Sequence, residues 1–254
     1  DSAPTYARCQ ALWGAGFLTL LQGRSAEAMR LADRAMRIAD RLGHTDSRES
    51  CRALLLLCLL FEGRLEECLG LGRRLLSEPE LDRPTLMRQF TVAALGAAYT
   101  LAGDHTSGFP LMRRALELGR EQGEVWHRSY NLWLLGVFLS RMNDPEAGVH
   151  LREALVTKRR TRDRLGFPAV METLAWHVFA HGDPKQAARI LGASQALWST
   201  GTPPMFRFVA MEQREEFRVR LHEELGTEAF ERLCRSGYEL SPEEALDLCL
   251  ETEP

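Results

Sequence analysis

The sequence predicts an all-α chain of helix–turn–helix repeats stacked as a right-handed solenoid and closed by C-terminal capping helices. Three observations predict it. Turn signals recur at Gly23-Arg24, Gly63-Arg64, Gly103-Asp104, Asn143-Asp144 and Gly182-Asp183, at spacings of 40, 40, 40 and 39 residues. A fixed period of roughly 20–50 residues marks a repeat array, in which each unit buries its apolar face against its neighbours. Aligned on those turns, the chain shows matched columns. Five residues after the turn stand Ala28, Cys68, Gly108, Gly148 and Ala187, all small. Eight after stand Leu31, Leu71, Leu111, Leu151 and Ile190; twelve after, Ala35, Leu75, Ala115, Leu155 and Ser194. Seven before stand Gly16, Leu56, Gly96 and Gly136, and six before the last turn stands Trp176. Small residues on both sides of a turn let two antiparallel helices approach closely, and the aliphatic column fills the space between neighbouring pairs. Finally, no segment alternates β-branched residues as a strand would.

The elements follow in order. From Leu12 to Leu21 apolar residues recur every three to four positions, and from Ala28 to Ala39 an apolar stripe alternates with Arg and Asp. The same periodicity predicts helices near 3–22, 25–42, 47–62, 64–77, 83–102, 105–122, 124–142, 145–165, 168–181 and 184–200. Ser25 reads as an N-cap, and Asp144-Pro145 and Asp183-Pro184 each pair a capping Asp with Pro at the first helical position. After Trp198 the pattern changes. Gly201-Thr202-Pro203-Pro204 breaks the helix, and a charged segment from Phe206 to Leu225 has helical spacing. Thr227 then reads as an N-cap with Phe230 as a buried anchor, and Ser241 with Glu244 forms a capping box with Pro242 at the first helical position. The expected organisation is residues 1–200 as repeats and 201–254 as capping helices packed on the array.

The small-residue columns resemble the tetratricopeptide repeat. That unit is usually about 34 residues; at 40 here, in about five helix pairs, each helix is expected to be longer by most of a turn. The aromatic and proline positions of that repeat are mostly missing. HEAT-like repeats match the length, but the glycine–acid turn with small residues at these offsets favours the tetratricopeptide class.

The tail carries a narrower resemblance. Leu174-Ala175-Trp176, Gly182-Asp183-Pro184 and Ala187-Ala188-Arg189-Ile190-Leu191-Gly192-Ala193-Ser194 precede Leu225-Gly226, Ala229-Phe230, Gly237, Leu240-Ser241 and Glu244-Ala245-Leu246. This succession resembles the end of the large actinomycete signal-transduction ATPases that often carry LuxR-type or SARP-type DNA-binding domains. It is specific over about 170–250; only generic repeat similarity covers 1–165. The resemblance implies a sensor and protein-interaction module that answers to a small effector or partner protein and restrains or releases the regulator. The implied partners are the regulator's own ATPase and DNA-binding domains or a separate protein, with homo-oligomerisation also expected. The chain holds no GxxxxGK[ST] phosphate loop, and no basic recognition helix of LuxR type follows Leu250. With a first residue Asp1 rather than Met, an excised segment of such a regulator is expected over a stand-alone relative.

Composition narrows the alternatives. The net charge of −3 argues against direct nucleic-acid contact, which usually leaves a basic footprint. No stretch reaches the roughly 18 apolar residues of a membrane span, and no signal peptide is visible. Cys9, Cys51, Cys58, Cys68, Cys234 and Cys249 form no CxxC pair, and no histidine stands at ligand spacing beside Cys51 and Cys58. Buried, reduced thiols in a cytoplasmic protein are expected, without metal or cofactor. No HExxH or nucleophile–base constellation is visible, so an enzyme is not expected.

The candidate binding residues come from the turn-aligned frame. Trp126, Tyr130 and Trp133 stand at i, i+4 and i+7 and form one stripe. The same columns hold Phe90, Ala93 and Ala97 in the third repeat, while Tyr6, Trp13 and Phe17 form a similar stripe in the first. His177, five residues before Gly182, is expected to face the concave side. A groove with small residues centrally and aromatics to one side suits an apolar ligand or an amphipathic partner helix. Packing between repeats is the alternative for all of them. His181 and the run Lys158-Arg159-Arg160-Thr161-Arg162-Asp163-Arg164 read as a solvated turn and a solvated helix end. The pairs Glu66-Glu67, Glu215-Glu216 and Glu243-Glu244 read as surface, because adjacent helical residues diverge by about 100°. An oligomerisation scaffold without a small-molecule ligand is the competing function.

Overall fold

The computed structural model describes residues 4–78, 85–198 and 204–251, with the side chains of 204–213 excepted. The described residues form thirteen α-helices and no strand. They are α1 (Tyr6–Leu21), α2 (Ser25–Leu42), α3 (Thr45–Phe61), α4 (Leu65–Ser77), α5 (Leu86–Leu101), α6 (His105–Glu121), α7 (Trp126–Arg141), α8 (Glu146–Thr161), α9 (Phe167–Ala180), α10 (Pro184–Leu197), α11 (Pro204–Leu225), α12 (Thr227–Tyr238) and α13 (Pro242–Leu250). No described helix is long and apolar enough to cross a membrane. The Gly201–Pro203 break lies outside the described residues.

All five predicted turns close in the same way. Gly23, Gly63, Gly103, Asn143 and Gly182 take positive φ between 56° and 95°. The next amide reaches back five residues in each: Arg24 to Thr19, Arg64 to Leu59, Asp104 to Tyr99, Asp144 to Leu139 and Asp183 to Val178, at 2.9–3.1 Å. This closure satisfies carbonyls that a helix end otherwise leaves open, and it needs a left-handed residue, which glycine supplies without a Cβ clash. Gly43 and Gly123 close α2 and α6 by the same bond pattern, His44 to Ala39 and Glu124 to Gly119. They are a second turn column that the 40-residue frame leaves unread. Arg162, at φ 53°, ends α8 likewise, which is why that helix stops at Thr161 and not at the predicted 165.

The small columns are where hairpins touch. Ala28, Cys68, Gly108, Gly148 and Ala187 are all buried, as are Ala35, Leu75, Ala115, Leu155 and Ser194. A Cβ on Gly96 would lie 2.9 Å from the Gly108 carbonyl oxygen, and one on Gly136 would lie 2.6 Å from Leu151 Cδ2. Neither position accepts a larger side chain without parting the helices.

Several caps differ from expectation. Ser25 is already helical and buried; the cap position is Arg24, which has no side-chain cap bond. Pro145 takes the cap position of α8, with Asp144 Oδ1 accepting from the Glu146 amide at 2.9 Å. Gly226 rather than Thr227 precedes α12, because the sharp exit from α11 demands positive φ there, and Phe230 is only half-buried. Asp183 and the Ser241–Glu244 capping box are as predicted.

The chain divides into two compact units. The first holds α1–α6; the second holds α7–α10, α12, α13 and most of α11. In the second unit α12 crosses α10 with backbone contact. A Cβ on Gly192 would collide with the Cys234 carbonyl, and one on Gly237 with the Arg189 carbonyl. The free thiols Cys9, Cys51, Cys58, Cys68 and Cys249 are buried, and Cys234 is half-buried.

Candidate functional site

In the first unit the structure brings three of the predicted aromatics together. Trp13 stacks on Phe17 at 5.6 Å, and Phe17 meets Phe90 edge-on at 6.4 Å. Trp13 Nε1 donates to the Ser50 carbonyl at 2.9 Å, which binds α1 to α3. Phe90 is buried, whereas Trp13 and Phe17 are half-exposed. The array thus joins α1 and α5 and presents part of two rings to solvent.

In the second unit the Trp126–Tyr130–Trp133 stripe runs from surface to core. Trp126 is 38% exposed and lies 4.8 Å from the Tyr130 ring. Trp133 is 6% exposed and donates Nε1 to Thr173 Oγ1 at 2.9 Å, tying α7 to α9. His177 is 3% exposed, and its Nε2 lies 2.8 Å from where a Gly148 Cβ would stand. It occupies space that Gly148 leaves between α8 and α9. Its ring is 4.1 Å from that of His181, which is exposed as expected. Burial first, then the neighbouring His181 and Arg152, holds the His177 imidazole down at about 4. Trp133 and His177 are interior, and only Trp126 and Tyr130 of this group reach solvent.

The basic run is corrected at its first residue. Arg159, Arg160, Arg162 and Arg164 are exposed, but Lys158 is 1% exposed. The reason is positional: Lys158 falls on the α8 face of Leu151, Ala154 and Leu155, all fully buried. Its ammonium donates to Asp163 Oδ2 at 2.9 Å and Ser129 Oγ at 3.1 Å, and lies 3.2 Å from the Tyr130 ring centroid. Asp163 Oδ1 accepts the Gly166 amide at 3.0 Å and so also shapes the α8–α9 turn. Burial pulls Lys158 down to about 8 against the pull of Asp163. Burial would raise the Asp163 carboxyl, but Lys158, the Tyr130 hydroxyl and the Gly166 amide together hold it below its usual value. The cluster is saturated internally and holds α7, α8 and the following turn together.

A concavity lies at α7, α9 and α11. It is a half-open cleft of about 160 Å3. Its floor is aromatic: Trp176 and Phe179 from α9, and the buried Phe217 from α11. Phe217 is 6.3 Å from the Trp176 ring and 5.7 Å from that of Phe179. Ser140 and Arg141 from α7 and Glu216 and Arg220 from α11 complete the wall. Arg220 lies over Phe179 at 5.5 Å and 4.0 Å from Glu216. Nearby, Glu172 is buried and paired with Arg214, an ion pair that fixes α11 on α9. Burial raises the Glu172 carboxyl in spite of that arginine.

None of these cleft residues is among the predicted site residues, yet the turn-aligned frame carries one signal: Trp176 stands six residues before Gly182, in the column of Phe17, Leu57, Ala97 and Val137, and like Phe17 and Leu57 it is half-exposed. Ser140 and Phe217 have no such mark. Among the described residues no group of three or more His, Cys, Asp or Glu is placed to hold a metal. Neither a protein-family profile nor a curated protein sequence matches this chain.

Proposed function

We propose that this chain is the sensor and protein-interaction module of a bacterial transcriptional regulator, built as a tetratricopeptide-like right-handed solenoid of about five helix pairs. It acts without catalysis. Its partners are the regulator's ATPase and DNA-binding domains or a separate protein, and a small effector biases the equilibrium between regulator states. The observation that carries this reading is the close α10–α12 crossing, where Gly192 lies against the Cys234 carbonyl and Gly237 against the Arg189 carbonyl. Both glycines belong to the tail succession that resembles the signal-transduction ATPases, and both are used where α12 crosses α10. The resemblance therefore rests on residues with a shared structural task rather than on scattered coincidences. The identical closure of five turns supports the repeat reading. The test is transcription from the regulator's promoter with residues 4–251 present or excised in the full-length protein. Loss of effector dependence on excision supports the reading; an unchanged response rejects it.

One observation favours the scaffold reading. The second half of α11 packs over α9 through Phe217 and Arg214, and covers a face that a partner helix would otherwise use. Light scattering with and without metabolite extract separates the two readings. A scaffold keeps one oligomeric state in both conditions.

A further inference from the structure

We propose that the exposed face of α2 docks an acidic helix of a partner protein, one that carries Asp or Glu at i, i+4, i+7 and i+11. The proposal goes beyond the reading above and concerns a surface other than the cleft.

Spacing defines the face. Arg30, Arg34, Arg37 and Arg41 follow one another by four, three and four residues, and all are exposed. At about 100° and about 1.5 Å per residue they fall within an arc of about 60° and span about 16 Å of the helix. The opposite side of α2 holds Ala28, Ala32, Ala35 and Ala39, all fully buried. None of the four arginines has an ion pair or hydrogen bond among the described residues. Glu27 is taken by Arg24 at 2.7 Å and Asp40 by Arg48 at 2.9 Å, and Asp33 pairs with none of the four.

Like charges at i and i+4 repel along a helix, so the stripe weakens α2 taken alone. The equivalent columns of α6 show the other solution. Eleven, fourteen and eighteen residues after the turn glycine stand Arg34, Arg37 and Arg41 in α2, and Arg114, Glu117 and Glu121 in α6. Arg114 is neutralised on its own helix, by Glu117 at 3.2 Å and Glu121 at 2.9 Å. In α2 those columns hold only arginine, and the counter-charge has to come from outside the helix.

The stripe also selects its partner. A planar guanidinium matches a carboxylate in two parallel hydrogen bonds. A helix with acids at the same 4–3–4 spacing meets all four arginines at once, and in either direction, because the pattern reads the same reversed. A nucleic-acid backbone calls for a broad positive footprint. Here the positive strip is one helix wide, with Glu27 on one side and Asp33 and Asp40 on the other. A second copy does not match, since no stretch of the chain carries acids at that spacing.

The experiment titrates the whole chain with an Ala-rich peptide of about 20 residues bearing Glu at i, i+4, i+7 and i+11. A control peptide of equal composition spreads its glutamates around the helix. Fluorescence anisotropy follows both at about 0.01 M salt, where the Debye length is about 30 Å. The registered peptide should bind at least about tenfold tighter than the control and weaken as salt rises to about 0.15 M. Arg34→Glu combined with Arg37→Glu should weaken it at least about tenfold, and should gain binding of the same peptide with Lys in place of Glu. Both positions are exposed, and circular dichroism checks that helicity is kept. Absence of saturable binding of the registered peptide overturns the proposal. So does equal binding of the two Glu peptides, or binding that the double substitution leaves unchanged. A DNA duplex of roughly 20 base pairs that binds as tightly as the registered peptide, and only to the unsubstituted chain, overturns it in favour of a phosphate surface. Self-association in sedimentation that the double substitution abolishes overturns it in favour of a second copy.

Discussion

Lys158 shows how far a single buried charge can depart from its sequence context. It opens a run of basic residues, yet its ammonium is enclosed by Asp163, Ser129 and the Tyr130 ring. Removing one member of a buried pair leaves the other uncompensated and costs about 3–5 kcal/mol. Asp163→Asn is therefore expected to lower stability by about 3 kcal/mol in urea unfolding, whereas Arg159→Gln, on an exposed pair with Glu243, should change it by less than about 1 kcal/mol. Equal effects would show that the cluster contributes no more than surface charge. The histidines give a pH dependence. His127 and His177 are held near 3 and 4, below the usual 6.5 of an imidazole, chiefly by burial. A folded pKa below the unfolded one means that the unfolded chain binds the proton first. The stability from these two groups is full above about 6.5 and is lost as pH falls through that value toward 4 and then 3. His177→Gln should flatten the decline of melting temperature between pH 6.5 and 4. An unaltered slope would show that His177 does not titrate in this way.

At the scale of elements, the turn is the unit that repeats. Gly103 needs φ 86°, a region in which an L side chain costs roughly 1–2 kcal/mol. Gly103→Ala should thus destabilise by about 1 kcal/mol, while Asn143→Gly, at φ 56°, should be neutral or mildly stabilising. Chemical denaturation of both variants checks the pair, and a neutral Gly103→Ala would contradict the shared closure. These turns were legible in the sequence because their chemistry is local: a left-handed residue and a bond reaching back five residues need no distant partner. Helices were legible for the same reason, with ends misplaced by a few residues where Arg162 and Gly226 took left-handed roles. The site was less legible. Trp13, Phe17 and Phe90 do meet, but Trp133 and His177 face inward, because a stripe on one helix does not reveal how deeply the neighbouring helices cover it. Trp176, Ser140 and Phe217 are brought together from three helices, a coincidence no single-segment period encodes.

At the scale of the whole molecule, the described chain is two compact units, and the tail belongs to the second through the α10–α12 crossing at Gly192 and at Gly237. Gly192→Ala would place a methyl group against the Cys234 carbonyl, and α12 must then move away from α10. Hydrogen exchange should rise in α10, α12 and α13 and remain unchanged in α1–α6. A rise throughout both units would contradict separate compaction. The functional account joins this tail to a regulator. Its most direct test is the complete reading frame that encodes the chain, read from the genome and checked by intact mass of the native protein. The account predicts an ATPase segment, a DNA-binding segment or both in the same polypeptide. A native protein that contains neither would contradict it.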